Sequence, residues 1–207
     1  LLEDQQQAIP QTALMNSSSK MMFGGDGSSD DEYAETATSN DLMPDAANYS
    51  FNFWVFLSDY NQALSGAIDD ALLIVPNEFK IFNDGGTLKV YCDGSSSNSV
   101  YKASIFDANG WYHIAVVYDG GETGNTNRIK LYKNGALVTG TSDSGTVPAT
   151  LGSTSKKIRI GSDHIWMSQA LTGTMDEISM WNASLTDAQV LALYNSGQPL
   201  NATKSAA

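Results

Sequence analysis

Cysteine, basic residues and long apolar runs are all scarce in this 207-residue chain. Cys92 is the single cysteine, so the chain cannot form an intrachain disulfide. Because Cys92 closes a strand-like run at residues 88–92, we expect a small core residue rather than a reactive thiol. The longest apolar run, residues 71–76, falls far short of the ~20 residues that span a bilayer, which predicts no membrane span.

Positive charge is the second shortage. The chain has 11 Lys and Arg against 23 Asp and Glu, which gives a formal net charge of −12. Such a surface repels phosphate backbones and anionic bilayers, so the charge excludes a typical nucleic-acid-binding protein. An acid-rich surface also suits divalent cations, although the need for solubility explains the same composition.

The composition along the chain predicts one domain with two flanking segments. Residues 1–19 are polar and end in a serine run, which indicates a linker or an arm that docks on a neighbouring subunit. Residues 20–200 carry recurrent strand signals and are long enough for one domain with a sizeable core. Residues 201–207 form a loose tail by the same criteria.

Short segments of alternating hydrophobicity dominate the middle of the chain. Residues 49–57 are largely apolar on both faces, which predicts a central strand covered on both sides. Turn signals at residues 83–86 (NDGG) and at Asn134 and Gly135 predict tight hairpins. About a dozen strands without helical crossovers favour an all-β, two-sheet antiparallel sandwich. The other predicted strands are 67–75, 78–82, 87–92, 101–106, 111–118, 127–133, 136–141, 157–161 and 172–181.

One short helix is predicted near the C-terminus. Thr186 and Gln189 have the spacing of a capping box, in which each side chain satisfies a free backbone N–H of the first turn. Gly197 is the expected helix stop. The apolar stripe of this helix consists of Val190, Leu191, Leu193 and Tyr194.

Six segments in the correct order resemble laminin-G-like jelly-roll domains. They are residues 50–55 (SFNFWV), 111–120 (WYHIAVVYDG), 129–135 (IKLYKNG), 158–161 (IRIG), 171–182 (LTGTMDEISMWN) and 185–194 (LTDAQVLALY). The resemblance covers roughly residues 20–200 and implies a concanavalin A-like jelly roll. Domains of this kind include lectins, pentraxins, adhesion modules, carbohydrate-binding modules and glycoside hydrolases, so the fold alone does not settle the function.

The same resemblance implies a structural calcium ion. Asp176 matches the family's Asp-Glu motif and is the best single ligand, joined by the turn at Gly25 and Asp26. The early motif of the relatives has an aspartate where this chain has Gly24, which weakens the match at that turn. The alternative is that Asp176 accepts backbone N–H bonds and fixes a strand end.

Catalytic residues are not evident. Hydrolases of this fold carry clustered carboxylates two residues apart on one strand, and this chain lacks that motif. Asp176 and Glu177 are adjacent, so regular strand geometry would point them to opposite faces. His113 lies inside a predicted strand and is expected to be a packed structural histidine. We therefore expect a protein that is not an enzyme.

Two loops combine aromatic and amide or acidic side chains in the way that sugar sites do. The first loop, residues 161–169, contributes Asp163, His164, Trp166 and Gln169. The second contributes Tyr60 and Asn61. The alternative is that Trp166 packs against the edge of the sandwich.

Three functions follow from these observations. The first is a non-catalytic adhesion module, extracellular or on a cell or virion surface, which recognises glycans or another cell-surface ligand. The second is a structural or decoration protein of a particle such as a phage capsid or tail fibre, assembled as a homo-oligomer or larger complex through residues 1–19. The third, a glycoside hydrolase, lacks its motif.

Overall fold

Fourteen strands and two short helices form the part of the chain that the computed structural model describes, residues 15–17, 21–24, 33–36, 47–60, 70–92, 95–152, 157–162 and 170–198. In chain order the strands are β1 (Met15–Ser17), β2 (Met21–Gly24), β3 (Ala34–Glu35), β4 (Asn48–Leu57), β5 (Asp70–Val75), β6 (Phe79–Asp84), β7 (Thr87–Cys92), β8 (Ser95–Lys102), β9 (Gly110–Asp119), β10 (Ile129–Lys133), β11 (Ala136–Leu137), β12 (Ser142–Ser144), β13 (Arg159–Ile160) and β14 (Thr172–Trp181). The helices are α1 (Asn125–Arg128) and α2 (Asp187–Tyr194), and a 3-10 turn follows at Asn195–Gly197.

The strands form two antiparallel seven-stranded sheets. Sheet 1 has the order β1-β14-β4-β9-β10-β11, with β2 also paired to β14, and sheet 2 has the order β12-β8-β7-β6-β5-β13-β3. Every described pair is antiparallel, which confirms the predicted two-sheet jelly roll. No helix in the described ranges is long and apolar enough to cross a membrane.

The inner faces of the two sheets enclose one hydrophobic core. Alternate residues of β4 enter it and are fully buried, and Phe51 stacks on Phe79 of sheet 2 with 5.1 Å between ring centroids. Burying each such side chain stabilises the fold by roughly 1.5–3 kcal/mol relative to its exposure. Cys92 is a buried free thiol in this core, as predicted.

Helix α2 covers part of the outer face of sheet 1. Val190 packs there with Trp181 and Leu185, and the Tyr132 hydroxyl donates a 2.7 Å hydrogen bond to Asp187 Oδ1. The opposite faces of β4 are therefore both covered, which confirms it as a central strand.

The capping box of α2 is present. Gln189 N donates to Thr186 Oγ1 at 3.3 Å, and Thr186 N donates to Gln189 Oε1 at 2.8 Å. The end of the helix differs from the prediction, because Asn195 in the left-handed conformation (φ 48°) caps α2 before Gly197 is reached. Of the predicted apolar stripe, Val190 is buried, whereas Leu191 is 52% exposed.

Both predicted hairpin turns are confirmed. Gly85 and Gly86 have φ of 53° and 87°, and Asn134 and Gly135 have φ of 52° and 77°. Two successive positive φ values match the right-handed twist of the strands, and Gly and Asn accept them at low cost.

Four predicted strands are shortened by two or more residues in the structure, and the one predicted at 157–161 retains only Arg159–Ile160. Residues 103–106 leave the strand after β8, and Ser104 has a φ of 57° that no regular strand allows. Residues 125–128 form α1 instead of the start of β10, and β11 ends at Leu137. The short strands β1, β2, β3 and β12 went unrecognised, since a few residues at a sheet edge carry too little alternation.

Met15–Ser17, at the end of the predicted N-terminal arm, pair with Ile178, Ser179 and Met180 of β14. Residues 15–17 of that segment therefore form an edge strand of the sandwich. Residues 1–14 and 201–207 lie outside the described residues.

Candidate functional site

An open groove crosses the outer face of sheet 2 over β6, β7 and β8. Its volume is about 410 Å³. It is lined by Asp84, Thr87, Lys89, Tyr91, Ser99, Tyr101 and Ala103. We call this feature the sheet-2 groove.

The pleat of β7 places the central residues of the groove. Thr87, Lys89 and Tyr91 alternate with Leu88, Val90 and Cys92, which are fully buried in the core. Successive strand residues point to opposite faces, so burial of the second set directs the first set outward. The strand register then brings Tyr101 of β8 opposite Lys89, and Ser99 opposite Tyr91.

Lys89 and Asp84 form an ion pair at the centre of the groove. Lys89 Nζ lies 2.5 Å from Asp84 Oδ2 and 5.8 Å from the centroid of the Tyr91 ring. Burial lowers the pKa of Lys89, but the hydrogen bond that Lys89 donates to Asp84 and the charges of Tyr91 and Asp84 outweigh that effect and raise the pKa above its ordinary value. The groove therefore contains a permanent ammonium beside a carboxylate.

The floor beneath Tyr91 is apolar and firmly packed. Phe82 is buried and meets the Tyr91 ring edge-on, with 5.6 Å between centroids. Ala71 and Ile74 are fully buried beside Phe82. This packing restricts the orientation of Tyr91, so little rotamer freedom remains to be lost when a ligand binds.

These side chains together suit a ligand with an apolar face and a polar edge. Tyr91 and Tyr101 supply aromatic surface with a hydroxyl at one end. Lys89 donates hydrogen bonds, Asp84 accepts them, and the hydroxyl of Thr87 does either. A pocket with aromatic walls and a few polar groups is the usual form of a small-ligand site.

Of the six sugar-site residues predicted from the two loops, only Tyr60 falls in the described ranges. Its amide N donates to Asn109 Oδ1 at 3.0 Å, and its carbonyl accepts from Asn83 Nδ2 at 3.2 Å. Its half-buried ring packs against the core beside the turn at Gly86, at one end of β7. The other five, Asn61, Asp163, His164, Trp166 and Gln169, lie outside the described residues.

Asp176 lies on β14, where its Oδ1 accepts a 2.8 Å hydrogen bond from the amide of Glu177. This contact matches the alternative role of fixing the local backbone. Gly25 and Asp26 lie outside the described residues, and within the described part no three His, Cys, Asp or Glu side chains converge. Of the three predicted calcium ligands, the described part of the chain contains only Asp176. The calcium hypothesis therefore depends on Gly25 and Asp26.

The alternation assumed for Asp176 and Glu177 is interrupted by a β-bulge. The register with β4 shifts between Asp176 and Ser179, and Glu177 has a left-handed φ of 50°. The prediction that the two carboxyl groups face apart was therefore based on a regular strand that does not exist here. Burial raises the pKa of Glu177 to about 7, and the neighbouring charge of Asp176 adds to the effect.

Sequence reasoning missed the sheet-2 groove, although one signal was available. Residues 87–92 alternate strictly, and the positions opposite the core hold a hydroxyl, an ammonium and a tyrosine. The missing information was pairing, because only the fold sets β8 beside β7 and so brings Tyr101 to Lys89.

The architecture places the domain in a class of antiparallel sandwiches. Two antiparallel sheets packed face to face, with a helix on one and an open groove on the other, are typical of lectin-like jelly rolls. The chain belongs to the concanavalin A-like lectin/glucanases superfamily, because a laminin-G family model of that superfamily matches residues 26–191. No protein of curated function matches the sequence.

Solved structures share the fold at low sequence identity. A native heptameric SAP-like pentraxin from Limulus polyphemus is 17% identical with a TM-score of 0.60, over 84% of this chain and 81% of that one. The IT-sialidase CBM40 of Ruminococcus gnavus is 11% identical with a TM-score of 0.60, over 88% and 100%. The binding domain of botulinum neurotoxin serotype C1 is 14% identical with a TM-score of 0.52, over 77% and 38%. These likenesses establish the fold alone.

Proposed function

We propose that this domain is a non-catalytic glycan-binding module and that the sheet-2 groove is its binding surface. The observation that carries the proposal is that Tyr91, along β7, and Tyr101, opposite on β8, both lie next to Lys89 in a groove that Asp84 also lines. The role of such a module is to attach, outside the cell or at its surface, to a sugar-coated target.

The chemistry of a sugar ring matches this arrangement. One face of a pyranose presents C–H groups that stack on an aromatic ring, and its rim presents hydroxyls that both donate and accept hydrogen bonds. Tyr91 and Tyr101 supply the stacking surface, while Asp84 accepts from one hydroxyl and Lys89 donates to its neighbour. Hydrogen bonds to charged groups are the stronger ones, at about 1.5–3 kcal/mol each.

Proteins of the same fold support this function by what they bind. The Ruminococcus gnavus CBM40 was solved bound to α2,3-sialyllactose. Cell entry of botulinum neurotoxin type C depends on interaction with two ganglioside molecules. These proteins show that domains of this fold can bind glycans, and this supports the proposal that the sheet-2 groove binds one.

The loop with Asp163, His164, Trp166 and Gln169 is proposed as a second contact region, together with Tyr60 and Asn61. Its two ends are held together, since Leu171 N donates to Gly161 O at 2.7 Å and Ser162 forms an isolated β-bridge with Ala170. The loop therefore leaves and re-enters the sandwich at one point, on the side of sheet 2 that carries β13.

A glycan array with purified wild-type domain tests the proposal, and single variants assign the surface. We expect Tyr91→Ala and Tyr101→Ala to weaken binding at least about tenfold, because each removes a stacking surface worth 1.4 kcal/mol or more. Trp111→Ala is the matched control, since Trp111 is a 42% exposed aromatic residue on the outer face of sheet 1.

Each outcome has a distinct meaning, provided that the melting temperature shows each variant to be folded. Tyr91→Ala could disrupt folding, because Tyr91 also packs on Phe82. Tyr101→Ala then still tests the groove on its own. Loss of binding only in Trp166→Ala would transfer the site to the 161–169 loop. Silence of the wild type on every glycan would contradict the proposed function itself.

A further inference from the structure

The side chain of His113 is enclosed between sheet 1 and the C-terminal end of helix α2. It is fully buried, and neither ring nitrogen has a hydrogen-bond partner among the described residues. Its ring centroid lies 5.4 Å from that of Trp54 on β4 and 5.8 Å from that of Tyr194, the last residue of α2. A proton on this ring would create a buried charge without a partner, which is strongly unfavourable unless water reaches it.

The charged groups around His113 are engaged elsewhere or lie apart from it. On the surrounding elements, the titratable side chains outside the core are Asp119, Lys130, Tyr132, Lys133, Asp176, Glu177, Asp187 and Tyr194. Three of them have other partners: Lys130 pairs with Glu122, Lys133 with Asp107 and Tyr132 with Asp187. The acids of β14 are separated from β9 by β4, and Asp119 lies at the far end of β9. Burial therefore acts on His113 without compensation and lowers its pKa to about 4.

The path from His113 to water leads through α2. Strand β9 is hydrogen-bonded to β4 on one side and to β10 on the other, so the sheet itself cannot part without loss of its ladder. The outward side of the imidazole is covered by Tyr194, whose own ring is half-buried. Tyr194 also sits directly on the hairpin turn beside His113, since a Cβ added at Gly135 would lie 2.9 Å from Tyr194 Cβ. Hydration of a charged imidazole therefore requires the last turn of α2 to move.

Helix α2 is attached weakly enough to move alone. Val190 is its one buried residue. The helix has eight residues, and isolated helices shorter than about 12–15 residues are marginal in water, so a detached α2 would unfold. Asn195 and Ser196 behind it hold left-handed φ values of 48° and 56°, which cost energy in residues other than glycine. Elements with few buried contacts are those that open locally while the rest of a domain stays folded.

We propose that α2 opens in acid: when His113 takes up a proton, the C-terminal turn of α2 leaves sheet 1 and uncovers Trp54, while both sheets remain folded. Trp54 shares the outer face of β4 with Phe56, and Phe56 lies 5.6 Å from the 42% exposed Trp111. Opening therefore joins the three rings into one exposed aromatic row. The sheet-2 groove lies on the other sheet, so this conformational change is independent of the proposed glycan binding.

The pH dependence of the opening has a definite sign and size. With α2 open, the hydrated imidazole has its ordinary pKa of 6.5, whereas burial in the closed domain lowers it to about 4. The open form therefore takes up the proton first, and acid favours it. Between pH 7 and pH 5 the ratio of open to closed domain should rise about twentyfold.

Native-state hydrogen exchange of the whole domain at pH 7 and pH 5 tests the proposal. Protection factors correct for the intrinsic pH dependence of exchange, and those of residues 187–194 should fall about twentyfold at pH 5. The amides of β6 and β7 should stay at least about tenfold better protected than α2 at both pH values. Low urea concentrations should accelerate exchange in β6 and β7 and have little effect on α2, because a local opening exposes little surface.

Variants identify the titrating group. His113→Phe keeps an aromatic ring that cannot take up a proton, so the protection of α2 should be the same at both pH values. His164→Gln removes the one other histidine of the chain and should keep the twentyfold change. If His113→Phe does not fold, Tyr194→Ala replaces it: the variant retains His113 without its cover, so the pKa of His113 measured by NMR should rise towards 6.5. Tyr194→Phe, the matched control, should leave that pKa near 4.

Three results would overturn the proposal. Equal protection of α2 at pH 7 and pH 5 would show that acid does not open the helix. The same fall in protection in His113→Phe would assign the effect to another group. Identical protection and urea dependence in α2 and β6 would mean that the whole domain opens at once.

Discussion

His113 and Trp54 face each other across strands β9 and β4, with 5.4 Å between ring centroids. The imidazole is fully buried, and neither of its nitrogens has a hydrogen-bond partner among the described residues. Tyr194, the last residue of α2, closes the cluster at 5.8 Å from the His113 ring and 5.7 Å from Trp54. His113 is thus the packed structural histidine that its position in a strand predicts.

The stability of the domain should fall in acid because of His113. Burial lowers the pKa of His113 from 6.5 to about 4, so the unfolded chain takes up this proton more readily than the folded one. The neutral ring contributes about 3 kcal/mol to the free energy of unfolding. This contribution is fully present above pH 6.5 and is lost as the pH falls towards 4. Urea unfolding at pH 7 and pH 4.5 should show this loss in the wild type and much less of it in His113→Phe. Equal losses in both proteins would contradict the assignment.

Glu177 should have the opposite pH dependence. Burial, with the charge of Asp176 as the second cause, raises the pKa of Glu177 from 4.5 to about 7, so the folded state favours the protonated carboxyl group. The contribution of Glu177 to the free energy of unfolding is fully present below pH 4.5 and is lost as the pH rises through 7. In Glu177→Gln the melting temperature should decline less between pH 5 and pH 8 than in the wild type. Gln keeps the length of the side chain, so the comparison isolates the titration; an unchanged decline would reject it.

The calcium hypothesis makes a prediction of its own. If Asp176, Gly25 and Asp26 hold a calcium ion, millimolar calcium should raise the melting temperature and EDTA should reverse the rise, because a ligand that binds only the folded state stabilises it. Asp176→Asn should abolish the response, and Asp119→Asn, a carboxylate on the same face of sheet 1, should retain it. The hypothesis fails if neither calcium nor the chelator shifts the melting temperature of the wild type.

The sandwich was predictable because its evidence is local. A strand such as β4, with many apolar residues on both faces, needs cover on both sides, and adjacent glycines such as Gly85 and Gly86 favour a tight hairpin. The capping box at Thr186 is likewise a contact between residues three apart. The exceptions, β1 and β12 among them, are short edge strands whose pairing depends on distant partners.

The candidate site was much less predictable, because its residues meet only through the pairing of distant strands. Sequence reasoning searched the loops for aromatic residues beside amides and acids, and the groove lies on the face of a sheet. Lys89 and Tyr91 are two residues apart, but Tyr101 joins them only through the pairing of β7 with β8. The β-bulge at Glu177 was equally hidden, since its extra residue shows only against the register of β4.

The amino-acid sequence by itself determined the class of this protein: its alternating apolar residues, turn glycines and capping box each act within a few residues and agree on an antiparallel sandwich with one helix. Only the tertiary structure decided which outward-facing residues meet. Strand register sets Tyr101 of β8 beside Lys89 and Tyr91 of β7 on the outer face of sheet 2. Register is a relation between distant segments, and the pleat then fixes the face to which each side chain points.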